Sequence, residues 1–178
     1  MQEVKVRQEN QSDAKAITVV NQSAFGGEAE AQLVAAVRQS KSFIPELSLV
    51  AEVGDRLAGH IMLFHSHLDR RGEQVEVLAL APMSVVPSQS HRGIGSTLVE
   101  AALAKAASLG HKAIVVVGHP DYYRRFGFEH ASKWGIHSSL SVPEDSITAK
   151  ELVPGTLQGG GLLCYPPEFI RLFKRSET

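Results

Sequence analysis

The sequence predicts an α/β protein with a mixed, mostly antiparallel sheet and helices on both faces. Three observations predict it. A short strand is followed by two amphipathic helical stretches, extended runs joined by tight turns come next, and a glycine loop then leads through a helix into a continuously apolar run. The second pattern indicates an antiparallel meander, and the third a crossover to a parallel strand. The length of 178 residues favours one domain, residues 1–178.

The first half of the chain supplies the meander and two helices. Alternating apolar residues predict the strands, and apolar residues spaced three and four apart predict the helices. The predicted elements are a strand at 4–7, helices from 12 or 13 to about 24 and at 28–40, and strands at 47–53, 57–68 and 74–86. Pro82 lies inside the last of these strands and removes one ladder donor, which indicates an edge, a bulge or a splay.

The second half begins with the crossover and then becomes less regular. A helix is predicted from Gly95 to Leu109, a strand covered on both faces at 113–117, and a short helix from Pro120 or Asp121 to Phe126. The remaining predictions are strands near 128–136 and 159–165 and a last helix after Pro167.

Composition and charge indicate which partners and which cellular location to expect. The formal net charge of −1 gives no overall attraction to nucleic acid or to an anionic membrane. The first residues contain no apolar signal region and no run approaches the length of a membrane span, so a cytoplasmic protein is expected. The single cysteine, Cys164, lies in an apolar run and is expected to be a buried, inert thiol. The eight histidines are scattered, and no metal site is predicted, since His65 and His67 are better explained as exposed side chains on one strand face.

The stretch 90–99, Ser-His-Arg-Gly-Ile-Gly-Ser-Thr-Leu-Val, carries the clearest chemistry. Gly93 and Gly95 stand between an extended run and a helix, where backbone N–H groups and the helix dipole attract an anion. No Gly-Lys-Ser/Thr follows, so this is not a Walker A loop, and the third glycine of a dinucleotide fingerprint is replaced by Leu98. A local pyrophosphate site is the interpretation that remains.

Two segments together resemble the GCN5-related N-acetyltransferases, the GNAT superfamily. Val85-Val86-Pro87 followed by Gly93-Ile94-Gly95 is similar to the family's acetyl-CoA motif, and Tyr123 four residues before Gly127-Phe128 is similar to its second signature. Gly59-His60-Ile61 and the tail that contains Pro154-Gly155, Gly161 and Tyr165-Pro166 resemble a bacterial YhbS-like subgroup. The resemblance implies a GNAT-like sheet in which two parallel strands splay apart around coenzyme A, and a homodimer is expected by analogy with family members.

The resemblance also assigns the acetyl-CoA contacts. The Met83 backbone N–H would act as oxyanion donor to the thioester carbonyl, and Val85 would pair with pantetheine. The pyrophosphate would lie on the segment His91, Arg92, Gly93, Ile94, Gly95 and Ser96, where Arg92 adds a positive charge. Ser90 stands where the family motif has Gln or Arg, and Gln89 is its neighbour.

Matching the same family motifs to this sequence also gives candidate catalytic groups. Tyr123 is the candidate general acid for the coenzyme A thiolate, while Tyr122 is expected to pack or to line the acceptor pocket. Some relatives carry a glutamate base four residues before the oxyanion amide, but Ala79 occupies that position. Glu76 on the same strand and His119 after the parallel strand are the remaining candidate bases. The alternative is that no side chain is needed, because the amine arrives neutral or water relays its proton.

Three functions therefore stay open. The favoured one is transfer of an acetyl group from acetyl-CoA to the amine of a small molecule, because the Phe25-Gly26-Gly27 break and the 137–160 segment resemble pocket walls. The alternatives are the same chemistry on a protein or peptide amine, and a non-catalytic acyl-CoA sensor.

Overall fold

The computed structural model describes residues 3–176, with side chains up to residue 171. Five helices and nine strands are found in this part of the chain. The helices are α1 Ala14–Phe25, α2 Ala29–Arg38, α3 Ile94–Ser108, α4 Pro120–Arg124 and α5 Pro167–Ser176. The strands are β1 Val4–Gln8, β2 Ser48–Val53, β3 Arg56–Arg70, β4 Glu73–Val85, β5 Ala113–Val117, β6 Glu129–His130, β7 Ile136–Ser138, β8 Ile147–Glu151 and β9 Gly161–Cys164.

The first of two compact units contains the residues up to Leu63 together with Ala81–Lys105. Its strands follow the order β1-β2-β3-β4, and β1 and β3 are both antiparallel to β2. The two helices before β2 bury one face each; Leu33, Val34 and Val37 of α2 are at most 3% exposed. The predicted meander and the apolar stripe of α2 are therefore confirmed.

The second unit contains Phe64–Leu80 and the residues from Ala106 onward. Its strand order is β7-β9-β3-β4-β5-β8-β6. The β4–β5 pair is parallel and has only two register pairs, Leu78 with Ile114 and Ala79 with Val115, both before Pro82. Most other pairs are antiparallel, and the short β7–β9 pair is parallel. The mixed, mostly antiparallel sheet that the sequence predicts is confirmed.

One prediction in the last third of the chain is wrong. The segment 128–136 is not one strand: β6 has two residues, a 3-10 turn covers Ala131–Trp134, and Gly135 precedes β7. A strand that was not predicted, β8, lies in the 137–160 segment and pairs with both β5 and β6. The burial of β8 against these two neighbours, rather than a strong local pattern, makes it a strand.

A chain of buried polar side chains crosses the first unit. Arg38 on α2 donates from Nε and Nη2 to the carboxylate of Glu9, at 3.0 and 3.2 Å. Ser48 Oγ donates to Glu9 Oε1 and lies 3.0 Å from Nε2 of the fully buried His60. Asn21 Nδ2 is 3.3 Å from the other ring nitrogen, Nδ1. Burial, helped by the charge of Arg38, lowers the pKa of His60 to about 3, so the ring is neutral.

Within residues 3–176, the structure contains no helix that combines the length and the apolar character needed to span a bilayer.

Candidate active site

The glycine loop joins β4 to α3 within the first unit. The Val86 N–H donates to the Ala58 carbonyl at 2.8 Å, which fastens the start of the loop to β3. Residues 87–89 form a single 3-10 turn, and Gly93 has φ of 72°, a conformation that side chains other than glycine adopt at a cost. The loop therefore bends immediately before the first residue of α3, Ile94.

The bend exposes a row of backbone donors. The N–H groups of Ile94, Gly95 and Ser96 belong to the first turn of a helix and have no acceptor inside it. Among the described residues no loop carbonyl accepts from them either, and the first turn of α3 carries no acidic side chain. These donors and the positive end of the helix dipole can bind an anionic group such as a phosphate.

Arg92 is held beside these donors by a side chain that the sequence analysis did not assign. Its Nη1 donates to Gln89 Oε1 at 3.1 Å, across the 3-10 turn. The spacing of three residues between Gln89 and Arg92 was the available signal, since side chains three apart meet on a helical turn. The guanidinium is half-buried and is kept close to the loop.

Met83 and Val85 lie at the end of β4, immediately before the loop. Their side chains are half-buried, whereas Pro82 before them and Ser84 between them are buried. Alternate residues of a strand share a face, so Met83 and Val85 lie on the less covered face. The two residues assigned to the thioester and to pantetheine thus occupy one side of one strand.

Tyr123 lies on α4 in the second unit and is only 4% exposed. Its ring contacts Tyr122 edge-on at 5.1 Å and Phe128 at 5.6 Å between centroids. Burial, and then the neighbouring Tyr122, raise the pKa of the Tyr123 phenol well above its ordinary value. Tyr122 packs as the sequence analysis expected: Arg125 lies 4.4 Å over its ring and Phe126 stands beside it.

The two candidate bases are placed differently. Glu76 is 64% exposed and its Oε1 lies 2.7 Å from Nδ1 of His65 on β3. It lines a cavity of about 330 Å³ together with His111 and the start of β5. Glu76 stands seven positions before Met83 on β4. His119 is exposed and has φ of 50°, which places the residue before α4 in a left-handed conformation. Such strained backbone occurs preferentially at functional sites.

No group of three or more metal-ligating side chains is found among the described residues. Cys164 is half-buried, and burial raises the pKa of its thiol.

Comparison with known proteins identifies the class to which this loop and fold belong. Residues 5–131 match the family model described as an acetyltransferase (GNAT) domain. The chain belongs to the GNAT family of acetyltransferases, as its two motifs indicated.

The most similar relatives narrow the subgroup. The chain is 32% identical to the N-acetyltransferase YjhQ of Escherichia coli, over 89% of this chain and 91% of that protein, and 30% identical to YhbS of the same species, over 93% and 98%. The crystal structure of E. coli YhbS with CoA superposes with a TM-score of 0.87 at 28% identity, covering 96% of this chain and 94% of YhbS. The crystal structure of a Brucella melitensis GNAT acetyltransferase with acetyl-CoA superposes with a TM-score of 0.78 at 28% identity, covering 95% of this chain and 99% of that protein. This chain is therefore an acetyltransferase of the YhbS-like subgroup.

Proposed function

We propose that this protein transfers the acetyl group of acetyl-CoA to the primary amine of a small molecule. One observation carries the proposal: the loop between β4 and α3 leads into a helix whose first N–H groups have no acceptor among the described residues. The structures of two similar proteins contain CoA and acetyl-CoA, which supports acetyl-CoA as the donor here. The exposed ring of Phe25, 43% accessible at the end of α1, suits a pocket wall for a small acceptor.

The donor is bound through the backbone in this proposal. The pyrophosphate accepts from the N–H groups between His91 and Ser96, and Arg92 adds a charge-assisted contact. Val85 pairs with pantetheine. The Met83 N–H donates to the thioester oxygen as it becomes an oxyanion, a contact worth about 3 kcal/mol in the transition state.

The amine nitrogen, unprotonated, then attacks the thioester carbonyl directly, so that a C–N bond forms and the C–S bond breaks. The nitrogen loses one proton in this step, to Glu76, to His119 or to water. The leaving thiolate needs a proton, and Tyr123 is the proposed acid. Its raised pKa keeps the phenol protonated across the neutral and alkaline range. The pKa of this phenol lies well above that of an ordinary thiol, about 8.5, so complete proton transfer to a free thiolate is uphill. Tyr123 therefore acts first as a hydrogen-bond donor to the developing thiolate.

The acid role predicts a selective loss of turnover in Tyr123→Phe. We expect kcat to fall about 100-fold or more, because general acids contribute that much, while the KM for acetyl-CoA changes little. Released CoA and the acetylated amine are measured together by mass spectrometry on an amine panel. Tyr122→Phe is the matched control, with the same chemical change one residue away, and it should keep its activity. An unchanged kcat in Tyr123→Phe at every pH would remove Tyr123 from the mechanism.

The same assay decides between the acceptor classes. Acetylation of peptides but not of small amines would assign a protein acceptor, and acetyl-CoA binding without any turnover would assign a sensor. Failure to bind acetyl-CoA at about millimolar concentration would contradict the proposal as a whole. Glu76→Gln and His119→Asn test the base, whose loss should lower kcat and leave the KM for acetyl-CoA nearly unchanged.

A further inference from the structure

The buried polar chain of the first unit has no role in the proposed acetyl transfer, yet it is organised around a charged pair. Glu9 is 8% exposed in its side chain and Arg38 is 21% exposed. A charge that is largely covered is costly unless it is well hydrogen-bonded, so the Glu9 carboxylate needs several donors.

The directions of the hydrogen bonds show that Glu9 is satisfied from within. Asn21 Nδ2 can only donate, so it donates to His60 Nδ1, and the ring proton lies on Nε2, facing Ser48. The Ser48 hydroxyl donates to Glu9 Oε1, and Arg38 donates to both carboxylate oxygens. The acidic side chain is thus covered and occupied.

Arg38 is not satisfied to the same extent. Its Nε and Nη2 are used by Glu9, whereas Nη1 has no hydrogen-bond partner among the residues that the structure describes. The guanidinium is permanently charged, and its remaining N–H groups can donate to solvent or to a bound ligand. Arg38 therefore has an unused N–H donor, whereas the carboxylate oxygens of Glu9 already accept hydrogen bonds.

This unused donor stands at a cavity of about 440 Å³ in the first unit. The cavity has amide and apolar walls; its lining residues are Glu9, Asn10, Gln11, Ala14, Arg38, Gln39, Phe43 and Pro45. The volume lies within the range of small-molecule sites, about 300–1,000 Å³, and a few polar groups in an apolar wall are what such sites share. Asn10 is already engaged as the cap of the 3-10 turn before α1, which leaves the two glutamine amides available.

We propose that this cavity binds a small aromatic carboxylate. The carboxylate accepts from Arg38 Nη1 and from the Gln39 amide, and the ring packs on Phe43 and Pro45. A cationic ligand is disfavoured, because Glu9 is covered and already receives three donated hydrogen bonds. The site is separate from the glycine loop: Ser48 beside Glu9 pairs with Met62 of β3, whereas the loop is fastened to Ala58. Binding should leave acetyl-CoA in place.

The test uses benzoate, with the cation benzylamine as its counterpart of similar size. Saturation-transfer NMR on the whole protein should show benzoate binding with a Kd of about 1 mM, a reasonable value for a ligand of this size, and no comparable signal for benzylamine. Saturating acetyl-CoA should not reduce the benzoate signal. Displacement by acetyl-CoA would place benzoate in the acetyl-CoA site and overturn the proposal.

A charge reversal within the cavity provides the variant test. Gln39 is exposed, so Gln39→Glu should fold normally while it repels the carboxylate and weakens benzoate about tenfold. Gln74→Glu is the matched control, with the same change of net charge at an exposed position of β4, and should bind benzoate as the wild type does. Phe43→Ala should also weaken binding. Equal binding of benzoate by the Gln39 and Gln74 variants, no benzoate signal at about 10 mM, or equal signals for benzoate and benzylamine would each contradict the proposal.

Discussion

Tyr122 and Tyr123 are neighbours in sequence, yet their environments differ sharply. Tyr122 is half-exposed under Arg125, whereas Tyr123 is buried against Phe128 and keeps its proton. Motif register was enough to choose Tyr123 as the candidate acid. The partner of Arg92 was not predicted, because a side-chain hydrogen bond depends on the exact turn between the two residues. The pairing of Glu76 with His65 was not predicted for a similar reason: it depends on the register of two strands.

The Gln89–Arg92 contact predicts a coupled effect on the binding of acetyl-CoA. Gln89→Ala should raise the KM for acetyl-CoA several-fold with kcat unchanged, because the guanidinium loses the contact that orients it beside the loop. Arg92→Ala should raise the KM for acetyl-CoA about tenfold, because the loss of one charge-assisted hydrogen bond has an effect of that size. The double variant should be no worse than Arg92→Ala alone, since both changes remove the same interaction. Ser88→Ala, an exposed neighbour, is the control, and additive effects of the two substitutions would refute the coupling.

His60 predicts a dependence of stability on pH with a defined sign. The pKa of His60 is about 3 in the folded protein, against an ordinary value of 6.5. Below pH 6.5 the His60 ring therefore binds a proton in the unfolded chain but stays neutral in the folded protein. The free energy of unfolding falls as the pH falls below about 6.5. Between pH 7 and pH 5 this single group should cost about 2 kcal/mol of unfolding free energy.

Urea unfolding at pH 7 and pH 5 checks this prediction, in the wild type and in His60→Gln. The glutamine amide can still donate to Ser48 but cannot titrate. The variant should be less stable at pH 7 and should lose about 2 kcal/mol less than the wild type on acidification. An identical loss in both proteins would show that the pKa of His60 is the same in the folded and unfolded states.

At the scale of elements, close packing of α3 on the sheet depends on one glycine. A Cβ at Gly59 would lie 2.9 Å from Leu98 Cδ1 and 3.0 Å from the carbonyl oxygen of Ser84, which is backbone and cannot rotate away. Gly59→Ala should therefore cost about 1–3 kcal/mol of unfolding free energy through overpacking. Gly27→Ala meets nothing within 4 Å and should change stability by less than about 0.5 kcal/mol. Equal stability of the two variants in urea would show that α3 adjusts freely.

The elements that the sequence predicted are those with strong local signals. The 3.6-residue periodicity of α2 predicts a helix. Gly54-Asp55 between two extended runs predicts a hairpin turn, and the apolar run of β5 predicts a buried strand. The strand β8 was missed because only its first three residues are buried, and its pairing to β5 and β6 decides its conformation. The start of α3 differs by a single residue from its predicted position, since the glycine that bends the chain marks it.

At the scale of the whole molecule, neither compact unit is continuous in sequence. The strands β3 and β4 each contribute one part to the first unit and one part to the second. Breaking either strand thus removes hydrogen bonds from both units. We expect the single-domain behaviour that the chain length suggested: one calorimetric transition whose van't Hoff and calorimetric enthalpies agree. Two resolved transitions would show that the units unfold independently.

The half-buried sulfur of Cys164 has a practical consequence for detecting the released cofactor. Colorimetric disulfide reagents react with thiolates, and a thiol whose pKa is raised offers few of them at neutral pH. The chain carries one cysteine in all, so the enzyme itself contributes at most one slow equivalent of colour. Any signal that exceeds the molar amount of polypeptide comes from free CoA, and a blank without acceptor amine separates turnover from hydrolysis. Continuous readout therefore needs no alkylation of the protein beforehand.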